Sequence, residues 1–257
     1  DALLEQAAEW KQSLDHLEDA EGRRSELARA CEGAAAALAE AGRALTGTRV
    51  RAAADLDRRV TAEIARLHMR GAVFRTVVAY EASAQSGVGI DGAPVAVFED
   101  GLDVVRMRAR TNPGEAEGGV ESIASTGELS RMALVIKSLA GSGHAGTTLV
   151  FDEIDAGVGA DLGDVLAEKL LALSERHQIL CITHMPPIAA RAPVHIGVFK
   201  EVDGARTRVK LRRLEGDDRT REVARMLGGD EGSRLALARE LLTPAPRRDP
   251  KSTRVRP

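Results

Sequence analysis

The chain has 257 residues, a formal net charge of -3 and a hydrophobic fraction of 44%. That is enough for one sizeable core or two modest units, and a charge so near zero gives no argument for nucleic acid or a membrane surface. Two cysteines, Cys31 and Cys181, exclude a disulfide framework, and no apolar run approaches the roughly 20 residues that cross a bilayer.

No signal peptide is visible, so the expected setting is reducing and cytoplasmic. The chain opens at Asp1, in mid-pattern and without Met, and is expected to be a fragment. Aromatics are 2%, so the core must be built from Leu, Val, Ile and Ala. Cys181 lies in the run Ile179-Leu180-Cys181-Ile182, which predicts a buried, inert thiol.

Residues 1 to about 70 read as helix: Ala, Leu, Glu and Arg dominate and no proline precedes Pro94. Apolar residues step by three and four through Leu3, Ala7, Trp10, Leu14 and Leu17, then Ala20, Leu27, Cys31, Ala34, Leu38, Ala41 and Leu45. This is a heptad seam with a stammer near residue 20. A rod over residues 2–45 would be roughly 65 Å long and could not bury its stripe against itself, so it needs a partner helix. The alternative is a long helix lying on a globular core. Gly42 and Gly47 are expected breaks, followed by a second amphipathic stretch with Leu56, Val60, Ile64 and Leu67.

From Val73 the period changes to that of strands: 73–80, 94–98 and 104–109 are predicted. Gly87-Val88-Gly89-Ile90-Asp91-Gly92 mimics a dinucleotide fingerprint, but a strand follows it, so it reads as a hairpin loop. A loop from Thr111 to about Ser125 follows, then a helix over 128–140, a strand 148–151, a helix 160–176 and a strand 179–183. Strand, helix, strand with short joints predicts a parallel pair. A hairpin over 194–199 and 206–213 turns at Asp203-Gly204, helices 219–227 and 232–242 end the fold, and the tail 243–257 is expected to be disordered.

Three segments carry chemistry. Leu149-Val150-Phe151-Asp152-Glu153 ends a buried strand in two adjacent carboxylates, at the edge where such sheets bind ligands. The first acid can hold Mg²⁺ through water, and the second can orient or deprotonate a water attacking a γ-phosphate. A strand running into an acidic loop is the plain alternative. Ser125-Thr126-Gly127-Glu128-Leu129-Ser130-Arg131 opens a helix; a capping serine and free backbone N–H groups suit a phosphate, although an ordinary capped helix fits too. His184 follows the strand Ile179–Thr183, 31 residues past Glu153, where it can meet the same phosphate or be a loop histidine without a role.

In this order the three segments resemble the ABC-type ATPases, and their detail resembles the RecN family, SMC-like bacterial ATPases of DNA double-strand-break repair. The resemblance rests on 123–131, on Val150-Phe151-Asp152-Glu153-Ile154-Asp155-Ala156-Gly157-Val158-Gly159, on Ile182-Thr183-His184-Met185-Pro186, on Thr111-Asn112-Pro113-Gly114-Glu115 and on 223–229. It implies an α/β fold: the C-terminal lobe of an ABC-type ATPase head with a parallel-sheet core, preceded by a long coiled-coil helix. The implied domains are a returning arm (1–70), the head half (71–242) and a basic tail (243–257). The implied cofactors are ATP and Mg²⁺, with Asp152 as the magnesium acid, Glu153 as the base and His184 as the switch histidine. Ser125, Thr126, Gly127 and Glu128 would contact ATP held by an opposing head, and Asp155 would sit in the loop that meets that head. Thr126 departs from the family, which has glycine there, and its side chain would crowd the phosphate.

No G-x-x-x-x-G-K-[ST] loop occurs. The nearest string, 141–148, has Thr147 for the lysine and precedes a strand, so it reads as a helix-ending turn. The implied partners are therefore an N-terminal Walker A half of the same protein, a second head and DNA, with no membrane and a nucleoid-associated place in the cytoplasm. The fragment alone is expected to be inactive. A nucleotide-independent scaffold or dimerisation module, or another SMC or ABC head, is the rival reading; a transporter domain is disfavoured by the heptad arm. Arg206, Arg208, Lys210 and Arg212 share a strand face, which suits either a DNA backbone or solvent, and the basic tail is equally ambiguous.

Overall fold

A computed structural model describes residues 2–122, 125–140, 146–203, 206–228 and 231–243. The tail after Thr243, Ile123 and Ala124, Gly141–Ala145, Gly204 and Gly229 lie outside the described residues, as do the side chains of Leu3, Ala7, Leu14 and Leu17.

The first element is one helix, α1 (Ala2–Arg66), of 65 residues. It runs through Gly42 and Gly47, contrary to the expected breaks. Gly42 is there for space: a Cβ added to it would lie 2.3 Å from Leu102 Cδ1. The helix ends at His68, which takes the left-handed φ of 60° while Leu67 N–H and Met69 N–H both return to the Ile64 carbonyl.

Contacts divide the chain into two compact units. The first takes residues 1–57 and 75–108. Here α1 lays Ala35, Ala39 and Gly42 against a small apolar cluster of Val88, Ile90, Val95, Leu102 and Tyr80. Small residues on the helix let the backbones approach. Buried Asp103 fixes the contact through Arg49 and Thr46, and Arg49 also donates to the Asp100 carbonyl at 2.8 Å. The face read as the heptad seam is a different one. Trp10, Leu27, Leu38 and Leu45 are 69, 66, 39 and 40% exposed, and Cys31 is exposed as well.

Strands β1 (Val73–Tyr80), β2 (Gly89–Ile90), β3 (Ala93–Pro94), β4 (Asp103–Arg110) and β5 (Gly118–Gly119) follow; β1, β4 and β5 form one sheet in that order. The strand expected over 94–98 is mostly isolated bridges, at Val95 and Phe98. The 87–92 string is a hairpin loop, with β2 and β3 antiparallel around Asp91 and Gly92 at φ 51° and 83°.

The second unit takes residues 58–74 and 109–257. The end of α1 buries Val60 and Ile64, and Leu67 just past it is buried too, as the second apolar stripe predicts. Helix α2 (Thr126–Leu139) leads to β6 (Thr148–Phe151), α3 (Leu162–Ser174) and β7 (Gln178–Cys181). The expected parallel pair is present, with Thr148 opposite Gln178 and Phe151 opposite Cys181. A short helix, α4 (Pro186–Arg191), was not read from the sequence; two prolines occupy its first turn, where they displace no hydrogen bond. The hairpin β8 (His195–Asp203) and β9 (Arg206–Leu214) is longer than expected, and α5 (Gly216–Leu227) and α6 (Glu231–Leu242) pack around Val223, Ala224 and Ala238.

Candidate functional site

The site is set by the parallel pair. Ile182 N–H donates to the Phe151 carbonyl at 2.9 Å, so the two strands end side by side. The chain leaving β6 carries Asp152 and Glu153, and the chain leaving β7 carries Thr183 and His184. Both carboxylates are exposed, and the His184 side chain is 79% exposed. The two sequence-predicted segments therefore share one sheet margin.

Asp155 joins them. It is 2% exposed, and one carboxylate oxygen accepts from Thr183 Oγ1, from His184 N–H at 2.9 Å and from Met185 N–H at 3.2 Å. The His184 ring lies close to the same oxygen, its Nδ1 at 3.3 Å. The Asp155 carboxylate is thus turned inward and holds the histidine loop in place.

Helix α2 supplies the third segment. Ser125 caps it, accepting from Glu128 N–H at 3.4 Å, with extended backbone at φ -99° and ψ 120°. Thr126 is exposed at the first helical position, while Gly127 is buried. A Cβ on Gly127 would come 3.0 Å from both the Ala156 methyl and carbonyl oxygen, so glycine is what lets helix and acidic loop touch without a shift. Ser130 Oγ donates to the Asp152 carbonyl at 2.8 Å. Arg131 Nη1 donates to the carbonyls of Ile154 at 3.2 Å and Ala156 at 2.9 Å. Sequence reasoning gave Ser130 and Arg131 no role; an arginine breaking the apolar spacing of a buried helix was the available signal.

Electrostatics separate the exposed groups from the buried ones. Burial lowers the pKa of the Arg131 guanidinium, against the charges of Glu128 and Asp155, which raise it. Partial burial, with the nearby Asp155 and Asp152 charges, pushes the Cys181 thiol up to about 12, so the thiol is protonated although it is half-buried and not fully buried as expected. Among the described residues no group of three or more His, Cys, Asp or Glu forms a ready-made metal cage. A single exposed acid such as Asp152 suits Mg²⁺, which keeps most of its waters and takes other ligands from phosphate.

The alternating basic strand is partly neutralised. Lys210 pairs with Glu201 at 2.6 Å, and Arg212 lies 3.6 Å from Asp218 and 5.2 Å from the Phe199 ring centroid. Among the described residues no helix is long and apolar enough to cross a membrane.

No family model matches the chain. The DNA repair protein RecN of Bacillus subtilis (strain 168) is 31% identical over 247 residues, covering 95% of this chain and 43% of that protein. RecN of Treponema pallidum is 37% identical over 244 residues, covering 93% and 41%. RecN of Mycobacterium leprae is 36% identical over 261 residues, covering 95% and 43%. Among solved structures, the Smc head domain with an extended coiled coil from Pyrococcus furiosus is 19% identical at a TM-score of 0.40, covering 67% of this chain and 38% of that one, a likeness too weak to decide an argument. The chain spans a little over two-fifths of the length of the curated relatives it matches. With a mixed α/β fold and relatives aligned along nearly all of its length, the chain belongs to the RecN family.

Proposed function

We propose that this chain is the C-terminal half of an ATP-hydrolysing head that works in DNA double-strand-break repair, in the cytoplasm at the nucleoid. The carrying observation is that α2, the loop after β6 and the loop after β7 are hydrogen-bonded into one margin. Asp152 would hold Mg²⁺ through water, and the metal would offset phosphate charge. Glu153 would take the proton of the attacking water, and His184 would hydrogen-bond the γ-phosphate. Ser125, Thr126, Gly127 and Glu128 would meet ATP held by a second head. DNA as a partner rests on the relatives' names.

A Walker A half elsewhere in the protein would complete the site, and the bare surface supports this reading. Among the described residues β6 and β7 pair only with each other, whereas parallel sheets are ordinarily larger and covered on both faces. On one face Val150, Leu180 and Ile182 are 66, 47 and 61% exposed. Strands and helices of that half would cover them, and its helix would cover the bare seam of α1.

The test is ATP turnover. The chain alone should not hydrolyse ATP, addition of the Walker A half should restore turnover, and Glu153→Gln should lower it by about a hundredfold or more. Turnover by the isolated chain would overturn the reading.

A further inference from the structure

Glu153 sits at φ 52°, a left-handed conformation that a glutamate adopts only when its surroundings impose it. The turn closes on itself through Ala156 N–H to the Glu153 carbonyl at 2.9 Å. What holds that turn from outside is helix α2. The carbonyl before Glu153, that of Asp152, accepts from Ser130. The carbonyl after it, that of Ile154, accepts from Arg131, as does that of Ala156. The glutamate is thus fastened on both sides by two adjacent residues of one helix.

Arg131 is an unusual choice for that task. It is 5% exposed, its Nε has no hydrogen-bond partner among the described residues, and no carboxylate there pairs with it. A buried guanidinium that makes no ion pair is unfavourable even with the Glu128 and Asp155 charges near enough to offset part of the cost, and a Met or Leu of similar volume would pack more cheaply. What the guanidinium gains in return is the pair of carbonyls it bridges.

We propose that Arg131 is a positioning residue that sets the backbone of Glu153 from the helix opening at Ser125. This rests on the ATPase reading above and adds to it. The helix end that would face ATP on a second head and the turn that carries the base become one body through Arg131 and Ser130. Arrival of the second head at Ser125–Glu128 then bears directly on the orientation of Glu153.

The test uses the full-length protein with its Walker A half. Arg131→Met should lower kcat by about tenfold or more while KM stays within about threefold, because orientation of the base is lost and nucleotide binding is not. Arg131→Lys, which keeps a cationic donor, should recover to within about threefold of wild type. In a Glu153→Gln background Arg131→Met should change the residual rate less than about twofold, since it acts through the glutamate. Unchanged kcat in Arg131→Met, additive losses in the double variant, or a KM rise matching the kcat fall would overturn the proposal. Should Arg131→Met fail to fold, Ser130→Ala decides: a kcat loss that vanishes in the Glu153→Gln background supports it, and an unchanged kcat overturns it. Failure of the ATPase reading itself would look different: wild-type protein without turnover, or Glu153→Gln with the wild-type rate.

Discussion

Replacing Asp155 with alanine removes one oxygen that serves three donors: Thr183 Oγ1, His184 N–H at 2.9 Å and Met185 N–H at 3.2 Å. A hydrogen bond to a charged acceptor contributes about 1.5–3 kcal/mol, and a buried donor left bare loses a similar amount. The donors do not suffer equally. Thr183 is half-buried and His184 exposed, so water replaces part of the loss there; Met185 is 6% exposed, so its N–H stays dry. Asp155→Ala should therefore lose about 3–5 kcal/mol. Asp155→Asn can keep an oxygen facing the three donors but loses the negative charge, and should lose about 1–3 kcal/mol. Urea unfolding reads this as a lower midpoint at unchanged slope. Hydrogen exchange adds a local reading: the His184 and Met185 amides should exchange faster than those of β6. A loss below about 1 kcal/mol with both amides still protected would refute the assignment of Asp155 as the anchor of the histidine loop.

Three further perturbations follow from the same geometry. Gly127→Ala places a methyl 3.0 Å from Ala156 and should destabilise by about 1–2 kcal/mol net of helix preference, whereas Gly22→Ala on α1, with nothing within 4 Å, should stabilise by about 0.5–1 kcal/mol in the same urea assay. Arg49→Met strips buried Asp103 of its counter-ion and should lose about 2–4 kcal/mol of thermal stability. Glu63 is held below its ordinary carboxylate pKa of 4.5, first by its hydrogen bond to Lys169. The stability it adds is fully present above that pH and lost as pH falls through the lower folded value, so the gap between wild type and Glu63→Gln in urea midpoint should be constant near neutrality and shrink below about pH 4.5.

How much of this was legible in the sequence differs by element. The parallel pair β6 and β7 was, because two short apolar runs flank one helical period and leave few topologies. The convergence of Glu153 and His184 followed from it. The orientation of Asp155 was not. An aspartate in an acidic loop reads as exposed, and its partners lie 28 to 30 residues further on. The first unit's contact with α1 escaped for a related reason. Heptad templates seek large residues, and Leu38 and Leu45 satisfied them, whereas the helix meets its neighbour through Ala35, Ala39 and Gly42. The strand expected over 94–98 fails because Val95 and Phe98 make separate bridges to Ala82 and Gly101. Helix α4, with six residues, is too short to show a period.

The central claim is that Asp152, Glu153 and His184 serve one nucleotide at the margin of the β6–β7 pair. The most direct measurement compares ATP binding and turnover in full-length protein carrying Glu153→Gln or His184→Ala. Each variant should bind ATP within about fivefold of wild type and lose turnover by about a hundredfold or more. Wild-type turnover in either variant would contradict the claim.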